Sequence, residues 1–230
     1  MTTARDLSFG LNTSVDISVP HMDVYANNLP AIRKAREAGK QVWWYVSCCG
    51  MSPAAYKLDF FIEYPAIRSR LLAGAAPWHY GVDGFLYYKV AGWSCDVLRG
   101  KPLSSAAHCY NGSFISAGGG PRTGWRPYGA GGFPDGDGEI MSPGATAPLA
   151  TVQMKNWRDG GEDYEFLHLL KKAIADRRAK GERVPASAEL ALKVPTAVLT
   201  SLTEFSDEPM ALHSWRLAVA EAIETMTSPH

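Results

Sequence analysis

The sequence lacks the features that would place it in a membrane or on a nucleic acid. No apolar run is long enough to span a bilayer, and the opening residues, Met-Thr-Thr-Ala-Arg-Asp, contain no apolar signal segment. Lysine and arginine (23) balance aspartate and glutamate (23), so no charge excess attracts nucleic acid or an anionic lipid surface. We therefore expect neither nucleic acid nor membrane among its partners, and the compartment stays unknown.

Cysteine is scarce, and the known cofactor-binding motifs are missing. The four cysteines, Cys48, Cys49, Cys95 and Cys109, have no zinc-site spacing. We expect Cys48 and Cys49 to be buried free thiols. Cys95 and Cys109 lie in one loop-like region and could pair in an oxidising compartment. There is no dinucleotide fingerprint, phosphate loop or nucleophile elbow, which excludes the common nucleotide-dependent and serine-hydrolase chemistries.

What the sequence does contain is typical of a globular domain rich in aromatic residues. It has 230 residues, of which 46% are hydrophobic and 20% charged, enough for one domain with a sizeable core. Seven tryptophans and ten tyrosines provide flat, amphipathic rings. Such rings suit sugar recognition, but they also fill cores, so each ring has two interpretations.

Strand and helix signals alternate along the chain. A buried strand is predicted over residues 15–19, ending at Pro20-His21. Asn27 or Asn28 then caps a helix that stops at Gly39, and an apolar strand follows over residues 42–46. A strand, a capped helix and a second strand that is apolar on both faces predict a parallel βαβ unit.

The same pattern continues to the end of the chain. Further helices are predicted over residues 66–72, from Pro148 through 174 with a break at Gly160-Gly161, and over 210–226. Pro77 is predicted to bend or end the first of these, and Gly81 to terminate that turn. Strands are predicted over 82–88 and 139–141. Residues 91–138 are rich in Gly and Pro and too long for an ordinary connection, which indicates a functional loop over a site or a poorly ordered insertion. About four βα units followed by C-terminal helices predict an α/β fold, and four such units are half of a (β/α)8 TIM-type barrel, with residues 1–230 as one partial domain.

Three segments in this order resemble one known family. They are VWWYVSCCG at 42–50, FIEYPAIRSRL at 61–71 with YGVDGFLYY at 80–88, and RDGGEDYEFL at 158–167. Together they resemble the domain of unknown function 4091, the C-terminal barrel portion of family 123 glycoside hydrolases. The resemblance covers residues from about 15 to 222.

The resemblance implies a retaining β-N-acetylgalactosaminidase with a substrate-assisted mechanism. The 2-acetamido oxygen of the substrate attacks the anomeric carbon, an aspartate orients that amide, and an adjacent glutamate protonates the leaving oxygen. The implied partner is a glycan containing N-acetylgalactosamine. No metal and no organic cofactor are implied.

The resemblance also implies that the catalytic Asp-Glu pair lies upstream of the matched region. We expect the chain to begin at about the fifth barrel strand and to contain no catalytic residue. Asp207-Glu208 has the right residue types but precedes the final helix, where acids are ordinary. Glu162-Asp163 falls in a helix and is predicted to be a solvated face.

Candidate sugar-contacting residues follow from the rule that barrel sites form at the carboxyl ends of strands. They are His21, Asp23, Tyr45, Tyr87, Tyr88, Trp93 and Asp137. Tyr45 and Trp93 are the leading candidates for contact with the sugar ring, with core packing as the alternative for each aromatic. A structural histidine is the alternative for His21. Alternation along the strand requires Trp43 or Trp44 to pack under the helices.

The sequence departs from the family pattern at three places. Tyr88 and Ala91 stand where a tryptophan and an asparagine are expected, and Ser142 replaces a tyrosine. The loss of an amide that could bind a sugar hydroxyl predicts shifted or weakened sugar binding.

Three hypotheses for function follow. The first is a glycoside hydrolase fragment without its catalytic pair. The second is a non-catalytic carbohydrate-binding protein, or a half-barrel completed by a second half-barrel or by self-association. The third, which we favour least, is an active enzyme that uses Asp207 and Glu208.

Overall fold

The computed structural model describes residues 2–3, 15–46, 58–61, 64–87, 89–90, 140–142 and 147–228. Within these ranges the chain is a mixed α/β domain with long helices and short strands. The strands are β1 (Thr2–Thr3), β2 (Ile17–Val19), β3 (Gln41–Val42), β4 (Trp44–Val46), β5 (Phe85–Tyr87), β6 (Met141–Ser142) and β7 (Leu149–Ala150). The helices are α1 (Met22–Asn27), α2 (Leu29–Glu37), α3 (Ile67–Ala73), α4 (Ala75–Tyr80), α5 (Val152–Ala179), α6 (Ala186–Ala191) and α7 (Pro209–Thr227).

Parallel strands form the centre of the domain. β1, β2 and β3 pair in parallel in that order, and β4 pairs in parallel with β5. The backbone joins these two sheets, because Trp43 N–H donates to the Ser18 carbonyl and Trp44 N–H donates to the Gly84 carbonyl. Residues 41–46 therefore run as one strand path between β2 and β5, with neighbours on both sides.

The position of this strand path explains its apolar sequence. Val42, Trp44 and Val46 are completely buried on one face, where Trp44 packs against rings of Tyr25 in α1 and Tyr80 in α4. Trp43 and Tyr45 on the other face are partly buried, so apolar side chains occur at consecutive positions, as predicted. The predicted strand over 42–46 is confirmed in place and in its parallel pairing.

The predicted helix ends are also found, with different capping chemistry. Gly39 and Gly81 follow α2 and α4 with positive φ angles of 79° and 65°, which terminate these helices as predicted. Asn28 occupies the N-cap position of α2, but its side chain does not cap that helix. Instead its Nδ2 donates to the Val24 carbonyl at 2.7 Å and closes the end of α1, a helix that the sequence did not predict.

The predicted break at Gly160-Gly161 is wrong, since α5 runs without interruption through both residues. Its side chains pack along α3 and α7. A Cβ atom at Gly160 would lie 2.3 Å from the Arg70 carbonyl oxygen and 2.8 Å from the Ala73 Cβ of α3. Gly160 is thus a contact point where two helices approach closely, and this packing outweighs the weak helix propensity of glycine.

The predicted fourth strand has a different partner. β6 forms an antiparallel pair with β7, in which Met141 opposes Ala150. Met141 N–H also donates to the Val90 carbonyl at 3.0 Å. The hairpin leads directly into α5, whose N-cap Thr151 donates its hydroxyl to the Ile140 carbonyl and accepts from Met154 N–H. The described residues thus form a parallel sheet with an added antiparallel hairpin, where four parallel units were expected.

Candidate functional site

His21 stands at the carboxyl end of β2, where the chain turns into α1. It forms an isolated parallel bridge with Tyr45, and its carbonyl accepts the N–H of Tyr25 in the first turn of α1. The ring is 3% exposed and meets the Tyr45 ring edge to face, with centroids 5.0 Å apart. Backbone and ring contacts therefore fix this imidazole at the end of two adjacent parallel strands.

Asp23 holds the other side of the same imidazole. His21 Nδ1 lies 2.6 Å from Asp23 Oδ1, and that oxygen also accepts the N–H of Val24. Among the described residues, nothing hydrogen-bonds to His21 Nε2, although the atom is buried. The structure thus brings together three of the predicted sugar-contacting residues, His21, Asp23 and Tyr45.

The sheet register separates Tyr45 from Tyr87. Tyr45 pairs with Leu86, whereas Trp44 pairs with Phe85 and Val46 pairs with Tyr87. Because directly paired residues share a face and neighbours alternate, Tyr87 lies on the face of Trp44 and Tyr45 lies on the opposite face.

The face that carries Tyr87 is packed with aromatic rings. Phe60 is buried and meets Tyr87, Trp157 of α5 and Phe85 at centroid distances of 4.7, 5.4 and 6.0 Å. This environment favours a packing role for Tyr87 over a sugar contact. The prediction that Trp43 or Trp44 packs under the helices is confirmed for Trp44.

The other predicted positions are not part of the described structure. Tyr88, Trp93 and Asp137 lie outside the described residues, as does the whole loop 91–138, which includes Ala91. The four cysteines, Cys48, Cys49, Cys95 and Cys109, also lie outside them.

Trp43 belongs to the same face as Tyr45, and the sequence prediction did not include it in the site. Its ring lies over Gly84, where a Cβ atom would be 2.4 Å away. Asp83 beside it accepts the N–H of Val42 at 2.9 Å and an Nη2–H of Arg36 at 2.7 Å. Asp83 and Gly84 of the DGFLY motif thus stabilise the amino end of β5. His21 lies at the opposite end of the sheet.

A buried tyrosine supports the same amino end. Tyr25 donates its hydroxyl to the Gly81 carbonyl at 3.1 Å. Burial raises the pKa of Tyr25 to about 12 and also raises the pKa of Tyr164, whose hydroxyl donates to the Val82 carbonyl. Both phenols therefore act as neutral donors to backbone carbonyls.

Asp207, the first of the adjacent acids Asp207 and Glu208, belongs to a structural contact with Arg68. Asp207 accepts from Arg68 through both carboxylate oxygens, and this hydrogen bonding raises the pKa of the Arg68 guanidinium. The guanidinium also lies over the rings of Tyr64 and Phe205, at 5.2 and 5.3 Å. Glu208 is exposed at the N-cap position of α7.

The adjacent acids Glu162 and Asp163 differ from each other in burial. Glu162 is exposed, as predicted, but Asp163 is buried, so the prediction that it belongs to a solvated face is wrong. Asp163 accepts from Arg70 through two bonds of 2.6 and 2.9 Å and lies 3.0 Å from Arg216 Nε. The acid is buried because α3 and α7 each supply a cation to it.

The described ranges contain neither a metal-ion site nor a membrane-spanning helix. No group of three or more His, Cys, Asp or Glu side chains there is arranged to hold a metal ion. None of the helices in this part of the chain is long and apolar enough to cross a bilayer.

These features define an α/β domain with a His-Asp-Tyr group at the carboxyl ends of neighbouring parallel strands, where α/β domains place their ligands. The chain belongs to glycoside hydrolase family 123, because the model of the family's catalytic domain matches residues 1–170. The expected family membership is confirmed.

A solved structure supports the fold. The chain resembles, with a TM-score of 0.52 and 12% sequence identity, a family 123 glycoside hydrolase from Clostridium perfringens that was analysed for glycolipid glycan hydrolysis. The alignment covers 96% of this chain and 33% of that one, so this chain spans about one third of the length of its structural relative. No curated protein matches the sequence.

Proposed function

We propose that this chain forms the sugar-binding side of a glycoside hydrolase related to retaining, substrate-assisted β-N-acetylgalactosaminidases. One observation carries the proposal: His21 and Tyr45 meet at the carboxyl ends of adjacent parallel strands, with Asp23 hydrogen-bonded to the same imidazole. Family membership supports a glycan as the ligand class for this strand-end group. A glycan that contains N-acetylgalactosamine is the ligand we propose.

The three side chains have the chemistry that a sugar requires. A sugar presents hydroxyl groups, which donate and accept hydrogen bonds, and C–H faces, which pack on aromatic rings. His21 and Asp23 supply nitrogen and carboxylate groups, and Tyr45 supplies a partly exposed ring. We propose that Trp93, Tyr88 and Asp137 extend this group, with Trp93 as a second stacking ring.

We further propose that the parallel strands belong to an eight-stranded barrel whose catalytic Asp-Glu pair is carried elsewhere. Support comes from the acids that the described ranges contain. Asp163 is buried between two arginines and Asp207 is held by Arg68, so neither is placed to orient a substrate amide. In this arrangement the substrate's acetamido group acts as nucleophile, and the residues of this chain bind and orient the sugar.

Binding of N-acetylgalactosamine, measured by NMR titration, tests the proposal. Tyr45→Ala and His21→Gln should each weaken binding by about fivefold or more, because each removes one net contact of about 1 kcal/mol. His213→Gln, an exposed histidine on α7, is the matched control and should bind like the wild type. Equal affinity for the wild type and the three variants would contradict the proposal. So would the absence of binding by the wild type.

Hydrolysis separates the binding role from a catalytic one. A chromogenic β-N-acetylgalactosaminide should show no turnover with this chain alone. Turnover that disappears in Glu208→Gln would assign catalysis to Asp207-Glu208 and overturn the proposal that the acid pair lies elsewhere.

A further inference from the structure

The His21 imidazole has a hydrogen-bond partner at one nitrogen and, among the described residues, none at the other. Its Nδ1 lies 2.6 Å from Asp23 Oδ1. An ionised carboxylate only accepts hydrogen bonds, so this contact places the proton on Nδ1. In a neutral imidazole the second nitrogen, Nε2, then carries a lone pair and accepts.

The nitrogen without a partner is buried. Nε2 is shielded from solvent and has no hydrogen-bond partner among the described residues, in a residue that is 2% exposed. A buried polar atom without a partner destabilises the fold, so in native proteins such an atom is paired with an ordered water, an ion or a ligand, or has a functional role. The contacts that hold the ring, the Asp23 bond and the Tyr45 ring, leave this atom unsatisfied.

We infer that Asp23 is a positioning residue that fixes the tautomer of His21, so that Nε2 accepts a hydrogen bond from a hydroxyl group of the bound sugar. The inference rests on the proposed sugar-binding function and makes it specific. A hydroxyl is the matching group because it can donate, whereas a carbonyl or carboxylate can only accept.

The local structure supports an orienting role for Asp23. It lies in the first turn of α1, two residues after His21, and its Oδ1 also accepts the N–H of Val24. The carboxylate is therefore held by the same turn that positions the ring. Its side chain is 18% exposed and that of His21 is 3% exposed, so the pair lies at the boundary between the buried core and the surface.

The first measurement is the tautomer of His21 in the sugar-free protein, by long-range proton–nitrogen NMR correlation. We expect a protonated Nδ1 and an unprotonated Nε2. Addition of N-acetylgalactosamine should shift the Nε2 resonance and leave Nδ1 nearly unchanged. A proton on Nε2 in the sugar-free protein would overturn the inference. So would an Nε2 chemical shift that does not change at saturating sugar.

Variants of Asp23 supply the second measurement. Asp23→Asn should mix the two tautomers and weaken sugar binding by about threefold to tenfold, since one well-oriented hydrogen bond is impaired. Asp23→Glu should restore part of the tautomer preference. Asp16→Asn, an exposed aspartate at the other end of β2, is the control and should change neither property. If Asp23→Asn keeps both the wild-type tautomer and wild-type affinity, the positioning role is wrong.

The outcomes distinguish this inference from the proposed function. If sugar binding depends on Tyr45 but not on the His21 tautomer, the proposed function is supported and the positioning role of Asp23 is wrong. If the protein binds no sugar at all, both the proposed function and the positioning role of Asp23 are wrong.

Discussion

Asp163 and Arg70 form a two-point ion pair that joins α5 to α3. Arg70 Nε lies 2.6 Å from Asp163 Oδ2 and Nη2 lies 2.9 Å from Oδ1, while Arg216 of α7 approaches Oδ1 at 3.0 Å. Hydrogen bonding to Asp163 raises the pKa of Arg70. The carboxylate thus connects three helices that are far apart in sequence.

Removal of this carboxylate should therefore destabilise the domain strongly. Asp163→Asn keeps the shape but leaves two cations near each other without their buried counter-charge, and we expect a loss of about 3 kcal/mol in the free energy of unfolding. Asp159→Asn, on the same helix, removes a more exposed partner of Arg158 and should cost less than about 0.5 kcal/mol. Urea denaturation measures both, and similar midpoints for the two variants would contradict the assigned role of Asp163.

The neighbouring glycines of α5 should respond to alanine in opposite directions. Gly160→Ala places a methyl group 2.3 Å from the Arg70 carbonyl oxygen and should destabilise the protein by about 2 kcal/mol. Gly161→Ala meets nothing within 4 Å and should stabilise it by about 0.5–1 kcal/mol through helix propensity. Thermal melting of the two variants checks this, and a stabilised Gly160→Ala protein would exclude a close helix crossing.

Because of Tyr25, the free energy of unfolding should fall at alkaline pH, and this fall should be absent in Tyr25→Phe. Its pKa rises to about 12 in the folded protein, so folding stabilises the protonated phenol, and this stabilisation is lost as pH rises from about 10 to 12. At neutral pH, Tyr25→Phe should be less stable by about 1 kcal/mol, because it loses the hydrogen bond to Gly81.

The two stability curves should consequently converge or cross between pH 10 and 12. The change in their difference should be on the order of 2 kcal/mol. Denaturant midpoints at pH 7, 9, 10 and 11.5 reveal it. Parallel curves across this range would show that the Tyr25 phenol titrates alike in the folded and unfolded chains.

Asp207 should matter to stability and be irrelevant to sugar binding. Asp207→Asn weakens its contact with Arg68, which is partly exposed, and should cost at most about 1 kcal/mol. Its affinity for N-acetylgalactosamine should equal that of the wild type, since the pair lies at the start of α7 and Asp207 is engaged with Arg68. A large fall in affinity without a fall in stability would place Asp207 in the ligand site.

Local signals in the sequence predicted much of the α/β framework. The apolar run over 42–46 predicted a strand covered on both faces, and Gly39 and Gly81 marked helix ends that the structure confirms. These features depend on residues close together in the chain, so alternation and turn chemistry identify them. The barrel as a whole remains a proposal, because the described residues contain one parallel sheet and an antiparallel hairpin.

The errors arose where distant residues decide the local structure. Gly160 was predicted to break a helix because propensity considers one segment, whereas its conformation is stabilised by contact with Arg70 and Ala73. Asp163 was predicted to face solvent because Arg70, 93 residues earlier in the chain, cannot be associated with it from periodicity. Long-range charge pairing is invisible to a local pattern.

The candidate site was predicted in part for a similar reason. The sequence predicted His21 and Asp23 just after one strand and Tyr45 within the next, and the structure brings the three together. The face on which Tyr87 lies depends on the register between β4 and β5, and a shift by one residue would reverse it. Sequence alone did not supply that register.

The two-sided strand path over residues 41–46 has a consequence for how such domains diversify. Its even-numbered side chains are completely buried, whereas Tyr45 on the opposite face contacts the His21 ring of the proposed sugar-binding group. On the proposed function, a substitution at Tyr45 alters the sugar contact and leaves the buried face of the strand unchanged. A change in sugar preference then requires no compensating substitution in the helices behind the sheet.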